Sequence, residues 1–185
     1  MSDIEVLHQM IKTSAKLSSA DHYGRKMVNL IEPQHPDSSV SIFGLPDDAV
    51  VIKVDAFRSP DTVFNGSQGE CKRADYVIVA DAGAKSVIVY IEMKATKGSE
   101  REVIQQLTGA RCFVAYCREV GKAFWNQPAF LDEYQERFVS VGHTSIPKRK
   151  TRISKQPGVH DHPSRMLKID YPHHLQFDHL AGANT

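Results

Sequence analysis

Residues 86–95 read SVIVYIEMKA, a strand-like apolar stretch that ends in two charged residues. Successive side chains of a β-strand point to opposite faces, so Glu92 and Lys94 share one face with Tyr90. Burying a carboxylate and an ammonium there costs several kcal/mol per ion unless a metal, water or polar partners compensate. The pattern therefore favours a functional site. An edge strand whose polar end reaches solvent is left open as the structural alternative.

A second apolar run, residues 74–81 with the sequence ADYVIVAD, precedes this strand. The connection between the two runs is short and contains glycine, which predicts an antiparallel hairpin. A turn centred on residues 83–84 sets Asp75 opposite Glu92, with Cβ atoms about 5 Å apart. Two carboxylates at that distance repel each other without a cation, and Mg²⁺ or Mn²⁺ suits oxygen ligands. A slip of one residue would move Asp75 to the other face.

A helix is predicted directly after the strand. Ser99 and Glu102 have the spacing of a capping box, and apolar residues recur at helical spacing from Val103 onward. Gln106 lies at the margin of this apolar stripe, whereas Gln105 falls on the far side of the helix. Gln106 is therefore the candidate to approach the charged strand end. A polar residue at the border of a buried face is the structural alternative.

An acidic residue, a hairpin and the sequence Glu92-x-Lys94 together resemble the core of the PD-(D/E)XK nuclease superfamily. The predicted helix with its Gln-Leu pair is similar to the helix that follows the E-x-K strand in several members. The resemblance covers residues 69–117, about a quarter of the chain.

The sequence departs from the superfamily pattern at the eponymous Pro-Asp, which occurs at residues 60–61 and not at Asp75. Asp61 lies among turn-forming residues with no strand behind it, so Asp75 is the preferred ligand. Asp61 is left open as its substitute.

The resemblance implies an α/β (α+β) fold with a restriction-endonuclease-like core, in which a mixed central β-sheet is flanked by α-helices. It implies a Mg²⁺-dependent endonuclease that hydrolyses phosphodiester bonds, with Mn²⁺ as the alternative cofactor. Asp75, Glu92 and the backbone carbonyl of Met93 would hold the metal. Lys94 would orient or activate the attacking water, and Gln106 would position substrate or water. DNA is expected more than RNA because it is the commoner substrate of similar proteins.

Helical spacing of apolar residues also predicts an N-terminal amphipathic helix that continues, after a break, as far as Pro33. Ser2 and Glu5 have the spacing of a capping box at its start. Superfamily members often place a helix before the sheet, sometimes with a glutamate near the metal. Glu5 and Glu32 are left open for that role, and Glu70 for contact with metal or phosphate. Solvated or capping roles are the structural alternative.

The chain has 185 residues, of which 41% are hydrophobic, enough for one substantial core. We therefore expect a single domain over residues 1–185, with a basic and His-rich C-terminal segment over residues 143–185. Its three cysteines lack metal-site spacing and disfavour a disulfide framework. Without an apolar run long enough to cross a membrane, the protein is expected to be soluble and cytoplasmic. A homodimer or a partner protein is left open.

Basic residues cluster in the C-terminal segment, where residues 137–160 contain no acidic side chain. Such a cluster can neutralise phosphates with little sequence preference, although a solvated surface loop is the structural alternative. Further cations precede the first carboxylate of the hairpin. The residues predicted to contact nucleic acid are Lys72, Arg73, Lys148, Arg149, Lys150 and Arg152.

Histidines are frequent near the C-terminus: His160, His162, His173, His174 and His179. Their spacing matches no standard zinc site, so polar surface roles are expected and a metal site is left open. Two further functions stay open for the whole chain. One is a catalytically silent nucleic-acid-binding or assembly subunit on the same fold. The other is an interaction or zinc-binding protein in which the acidic pattern is accidental.

Overall fold

The computed structural model describes residues 1–82, 85–96, 98–144, 151–153 and 159–182. Within these residues the chain forms a seven-stranded sheet and a four-stranded sheet, both mixed. The strands are β1 (Lys16–Leu17), β2 (Ala20–His22), β3 (Arg25–Glu32), β4 (His35–Leu45), β5 (Val50–Lys53), β6 (Tyr76–Ala82), β7 (Lys85–Lys94), β8 (Gln135–Gly142), β9 (Arg152–Ile153), β10 (Leu167–Asp170) and β11 (His174–Gln176). The α-helices are α1 (Asp3–Met10), α2 (Glu100–Phe124) and α3 (Phe177–Leu180). The predicted mixed α/β class is confirmed.

The central hairpin pairs in the predicted register. Tyr76 lies opposite Ile91 in the antiparallel pair β6–β7, so the next position outward brings Asp75 beside Glu92. The two faces of β7 are also as predicted. Tyr90 packs in the core beneath the helices, whereas Ile91 packs in the core on the other side of the sheet. The hairpin is apolar on both faces because both faces are covered.

The seven-stranded sheet has the order β1-β5-β6-β7-β8-β10-β9. The pairs β7–β8 and β8–β10 are parallel, and the other neighbours are antiparallel. Parallel neighbours need a crossover connection, and α2 lies in the one between β7 and β8. The site-bearing end of β7 is therefore followed directly by the helix that packs on it.

Helices α1 and α2 cover one face of this sheet. Leu7 of α1 and Leu107 of α2 are buried in the same core, together with Val77 and Ile88 of the hairpin. No helix in the described part of the chain is long and apolar enough to span a membrane.

The two predicted capping boxes have different outcomes. At α1 the Ser2 hydroxyl accepts from the Glu5 amide at 3.2 Å, and the Glu5 carboxylate accepts from the Ser2 amide at 2.7 Å, as predicted. At α2 the prediction is wrong, because the Ser99 side chain makes no capping hydrogen bond. Glu102, which would complete the box, instead forms an ion pair with Lys72 at 3.7 Å.

The four-stranded sheet, in the order β11-β4-β3-β2, covers the other face of the large sheet. The prediction of a long N-terminal helix is wrong, since α1 ends at Met10 and residues 25–32 form β3. Val28 and Leu30 are buried while Asn29 and Ile31 are exposed, and this period of two belongs to a strand. Helices therefore flank one face of the central sheet, whereas the second sheet and the short α3 cover the other.

Candidate active site at the end of the central hairpin

The three charged residues predicted to form a site lie together at one end of the β6–β7 hairpin. Asp75 immediately precedes β6, and its Oδ2 accepts a hydrogen bond from the Met93 amide at 2.8 Å. Its own carbonyl accepts from the Val54 amide at 2.9 Å, which fixes the backbone at this point. The side chain of Asp75 is thereby held across the strand end that carries Glu92 and Lys94.

Glu92 is almost completely buried, with 1% of its surface exposed, and its Oε1 lies 3.0 Å from the Lys94 ammonium. The Lys94 side chain keeps 20% of its surface accessible. The pair therefore spans from the protein interior to a solvent-accessible cleft. A reactant that enters this cleft meets the ammonium first and the buried carboxylate behind it.

Both carboxyl groups are held in conditions that disfavour their charged forms. Burial raises the pKa of Asp75 to about 6, although the Met93 amide and the Lys94 charge oppose it. Burial, followed by the Asp75 charge, raises the pKa of Glu92 to about 8. Burial lowers the pKa of Lys94, but the Glu92 carboxylate outweighs it and the net shift is upward. Deprotonation of both carboxyl groups would leave more negative charge than one ammonium offsets, which is the condition that a bound cation relieves.

Two buried acceptor atoms, one at the site and one on α2, lack hydrogen-bond partners among the described residues. They are the buried Oε2 of Glu92 and the buried Oε1 of Gln106, the latter on the helix that packs against β7. Buried polar atoms are nearly always hydrogen-bonded, so such exceptions are places suited to bind water or an ion. Gln106 rather than Gln105 faces inward, as predicted, because Gln105 donates to the Gln68 carbonyl at 2.9 Å on the outer surface.

Glu32 lies near the site, but from an element that the sequence did not predict. It is the last residue of β3, it is 5% exposed, and its Oε2 accepts from the Thr144 hydroxyl at 3.2 Å. Its charge contributes to the raised pKa of Asp75, after the larger effect of burial. The local sequence carries no signal that this glutamate faces inward, because the apolar Ile31 is exposed while Glu32 is buried. No group of three or more His, Cys, Asp or Glu side chains in the described ranges is arranged to hold a metal ion.

The other acidic residues left open as metal ligands either have local partners or are exposed. Glu5 caps α1. Glu70 accepts from the amides of Gly66 and Gln68 at 2.9 and 2.8 Å, within its own loop. Asp61 is exposed in a turn. Their local hydrogen bonds or exposure to solvent satisfy these three carboxylates without a metal ion.

A cleft of about 430 Å³ opens beside Lys94. Arg152, predicted to bind nucleic acid, lines this cleft together with Lys168. His143 and Tyr171 stack at its edge, with ring centroids 4.8 Å apart, and both have the uncommon positive φ, of 58° and 63°. Non-glycine residues are held in that conformation only where the surrounding structure requires it, and they concentrate at functional sites.

Lys72 and Arg73, also predicted to bind nucleic acid, do not line this cleft. Lys72 pairs with Glu102, and Arg73 donates through Nε to the Val54 carbonyl at 3.2 Å. Lys148, Arg149 and Lys150 lie outside the described residues.

The C-terminal histidines have separate local contacts. His160 Nε2 lies 2.8 Å from the Leu180 carbonyl, and His162 Nδ1 lies 2.8 Å from the Ser164 hydroxyl. The ring of His174 contacts Phe43 at a centroid distance of 5.4 Å. Their segment contributes β10 to the large sheet and β11 to the small one, which links the two sheets.

No family model matches the chain, and no curated protein or solved structure matches it either. Any function assigned to the protein therefore has to rest on the chemistry of its own residues.

Proposed function

We propose that this protein is a metal-dependent nuclease of the PD-(D/E)XK type that uses Mg²⁺, or Mn²⁺, to hydrolyse phosphodiester bonds. The observation that carries the proposal is the half-buried Asp75 beside the buried Glu92 at a strand end, with Lys94 3.0 Å from Glu92. Structural ion pairs balance their charges, whereas two carboxylates here share one ammonium. Such an excess of buried negative charge is stable only with a proton or a cation.

The donor set fits a hard divalent cation. Carboxylate and carbonyl oxygens are the ligands that Mg²⁺ prefers, and it keeps several waters when one or two carboxylates hold it. Asp75 and Glu92 would supply the carboxylates, and the unpartnered Oε2 of Glu92 is one coordinating atom. The carbonyl of Met93, between them, is the third proposed ligand. When bound, the ion polarises the phosphodiester and makes water a better nucleophile.

Lys94 is suited to hold the attacking water and to offset charge that develops on the phosphate. Its raised pKa keeps the ammonium protonated at neutral pH in the metal-free protein, because the Glu92 carboxylate outweighs the effect of burial. A protonated lysine donates hydrogen bonds and does not accept a proton. We therefore assign Lys94 to orientation and charge stabilisation, and Gln106 to positioning of substrate or water.

The connectivity supports a restriction-endonuclease-like core. A hairpin carries the acidic residues, a long helix follows, and the next strand returns parallel to the second strand of the hairpin. Arg152 in the cleft beside Lys94 supports a polyanionic substrate, whereas Lys168 in the same cleft is paired with Glu100 at 2.8 Å. DNA is proposed over RNA by analogy with similar nucleases, and the cations of the cleft suit either backbone.

The proposal is tested by incubating the protein with single-stranded, duplex and branched DNA and with RNA, in Mg²⁺, Mn²⁺ or a chelator. Cleavage is expected in metal and absent in chelator. Asp75→Asn should lose both Mg²⁺ binding, measured by calorimetric titration, and cleavage. Lys94→Ala should lower cleavage by a factor on the order of 100 or more while metal binding remains measurable.

Two outcomes would contradict the proposal in different ways. If the protein binds nucleic acid but cuts nothing in any metal, it is the catalytically silent subunit. If it cuts and both variants cut equally well, the active site lies elsewhere.

A further inference from the structure

A second, larger pocket lies on the outer side of α2, between the helix and residues 57–73. Its volume is about 660 Å³, within the range of roughly 300–1,000 Å³ typical of small-molecule sites. Aromatic rings form much of its wall: Phe57, Phe64, Phe113 and Tyr116.

Three of these rings are unusually exposed. The exposed fractions are 40% for Phe57, 53% for Phe64 and 60% for Tyr116. Phe57 lies 5.2 Å from Phe113 and 6.3 Å from Tyr116 between ring centroids, so the rings form a contiguous surface. Contiguous exposed apolar surface marks a binding site, and aromatic rings are the side chains on which nucleobases stack.

The wall of the pocket is held in place by the fold. Gly109 of α2 lies against the loop so closely that a Cβ there would come 1.7 Å from the Lys72 carbonyl oxygen, so only glycine permits this approach. Gln105 donates to the Gln68 carbonyl at 2.9 Å and ties the loop to the helix one turn earlier. The Glu70 carboxylate closes the loop on itself. The pocket is therefore formed before any ligand arrives.

The loop that lines the pocket leads along the chain to the candidate active site. Lys72 and Arg73 line the pocket, and the chain reaches Asp75 two residues later. Glu102 pairs with Lys72 at 3.7 Å and is also near enough to Lys94 for its charge to act on that ammonium. An occupant of the pocket thus meets the cations of Lys72 and Arg73 in its wall.

We propose that this pocket binds an unpaired nucleobase of the nucleic-acid substrate, stacked on the rings of Tyr116, Phe57 and Phe64. The inference rests on the proposed nuclease function. A nucleobase joins a flat apolar surface to an adjacent phosphate, which matches aromatic walls with Lys72 at the rim. An apolar peptide or a second copy of the chain would use the rings but not the cation. The consequence is a preference for single-stranded or locally unpaired substrate.

The test measures binding of a single-stranded DNA oligonucleotide that carries 2-aminopurine, with chelator present so that nothing is cut. Tyr116→Ala and Phe64→Ala should each weaken binding roughly 5- to 150-fold and reduce the quenching of 2-aminopurine. Binding of a fully paired duplex should not change. Phe124→Ala is the matched control, since Phe124 lies on the same helix, is 77% exposed and does not line the pocket. Melting curves verify that all variants fold.

The outcomes separate this inference from the proposed function. If the wild-type protein cuts DNA and Tyr116→Ala binds and quenches like wild type, the pocket inference is wrong and the nuclease stands. If the aromatic variants lose single-strand binding but the wild type cuts nothing, the pocket inference stands and the nuclease is wrong. If no nucleic acid binds, both are wrong. A dimer that dissociates on Tyr116→Ala, with single-strand binding unchanged, would instead assign the pocket to a second copy.

Discussion

Two glutamates beneath α2 differ in how their carboxylates are satisfied. Glu136 lies on β8, and its side chain is 13% exposed. It accepts from the Tyr90 hydroxyl at 2.8 Å and pairs with Arg111 at 2.8 Å and Arg118 at 3.6 Å. Two cations and a hydroxyl thus surround one carboxylate, which is how a buried charge is stabilised within a fold.

Glu92, on the neighbouring strand β7, has the opposite balance. It is more deeply buried, it has one cation at 3.0 Å, and its Oε2 is unpartnered among the described residues. Asp75 adds a second negative charge beside it. The same sheet thus holds one carboxylate whose charge is fully paired and another that has fewer partners than it can bind. The difference supports the proposal that Glu92, and not Glu136, holds a ligand.

The largest expected difference is in activity. Glu92→Gln keeps the shape of the side chain but removes the charge that would hold the metal, so cleavage in Mg²⁺ should fall to the level seen with chelator. Glu136→Gln should cut at close to the wild-type rate, because Glu136 lies away from the cleft beside Lys94. Initial rates on the best substrate measure both. Equal losses in the two variants would remove the distinction between the two glutamates.

The next expected difference is in the pH dependence of stability without metal. Unfolded Asp and Glu release their protons near pH 4, whereas in the fold the pKa values of Asp75 and Glu92 are raised to about 6 and about 8. Between those limits the folded state binds more protons than the unfolded state. The free energy of unfolding should therefore fall as the pH rises from about 4 to about 8.

Melting temperatures measured across that pH range in chelator check this expectation. The double variant Asp75→Asn/Glu92→Gln should lose most of the dependence, and Glu136→Gln should retain it. Added Mg²⁺ should raise the melting temperature of the wild type more at pH 8 than at pH 5, because the metal binds the deprotonated carboxylates. If the wild-type profile matches that of the double variant, the pKa values of Asp75 and Glu92 are not raised in the fold.

A smaller difference is expected in stability at a single pH. Glu136→Gln removes the charge that pairs with two arginines and accepts from the Tyr90 hydroxyl, so the free energy of unfolding should fall by about 1–3 kcal/mol. Glu92→Gln in chelator should be neutral or stabilising, since it relieves repulsion with Asp75. Urea denaturation at pH 8 gives both values. A greater loss at Glu92 than at Glu136 would mean that the Lys94 ion pair is a structural contact.

The smallest expected difference is in the salt dependence of DNA binding, which the cations near each glutamate affect differently. Arg152 lines the cleft beside Lys94, whereas Arg111 is committed to Glu136. Arg152→Gln should lower the slope of log affinity against log salt by about 0.9 for duplex DNA, and Arg111→Gln should leave it unchanged. Binding titrations at several salt concentrations measure the slopes. An unchanged slope for Arg152→Gln would place the backbone contacts elsewhere.

Local pattern was sufficient to predict the hairpin but insufficient for the N-terminal third. In residues 74–95 the apolar runs and a short glycine-containing turn specify one register, and Tyr76 pairs with Ile91 as expected. In residues 25–32 the apolar residues are few, and their spacing fits a helix as well as a strand. Pairing with β4 decides between them, because the ladder satisfies backbone groups that a short isolated helix would have to satisfy alone.

The cap of α2 and the position of Glu32 were decided by distant residues. The spacing of Ser99 and Glu102 is that of a capping box, yet Lys72, far away in sequence, pairs with Glu102 instead. Glu32 comes near Asp75 because the second sheet folds over the first, with Tyr76 hydrogen-bonded to the backbone of Ile31. Neither contact has a local signal in the chain.

Local sequence is enough to specify the hairpin, the faces of its strands and the position of Asp75 beside Glu92, because side-chain alternation and turn length are local properties. How deeply Glu92 is buried and which partners it lacks depend on tertiary packing, as does the aromatic pocket between α2 and residues 57–73. Burial and partnership depend on what packs above a strand. At this site that means α2, the second sheet and the loop over residues 57–73, which lie far apart along the chain and meet only in the fold.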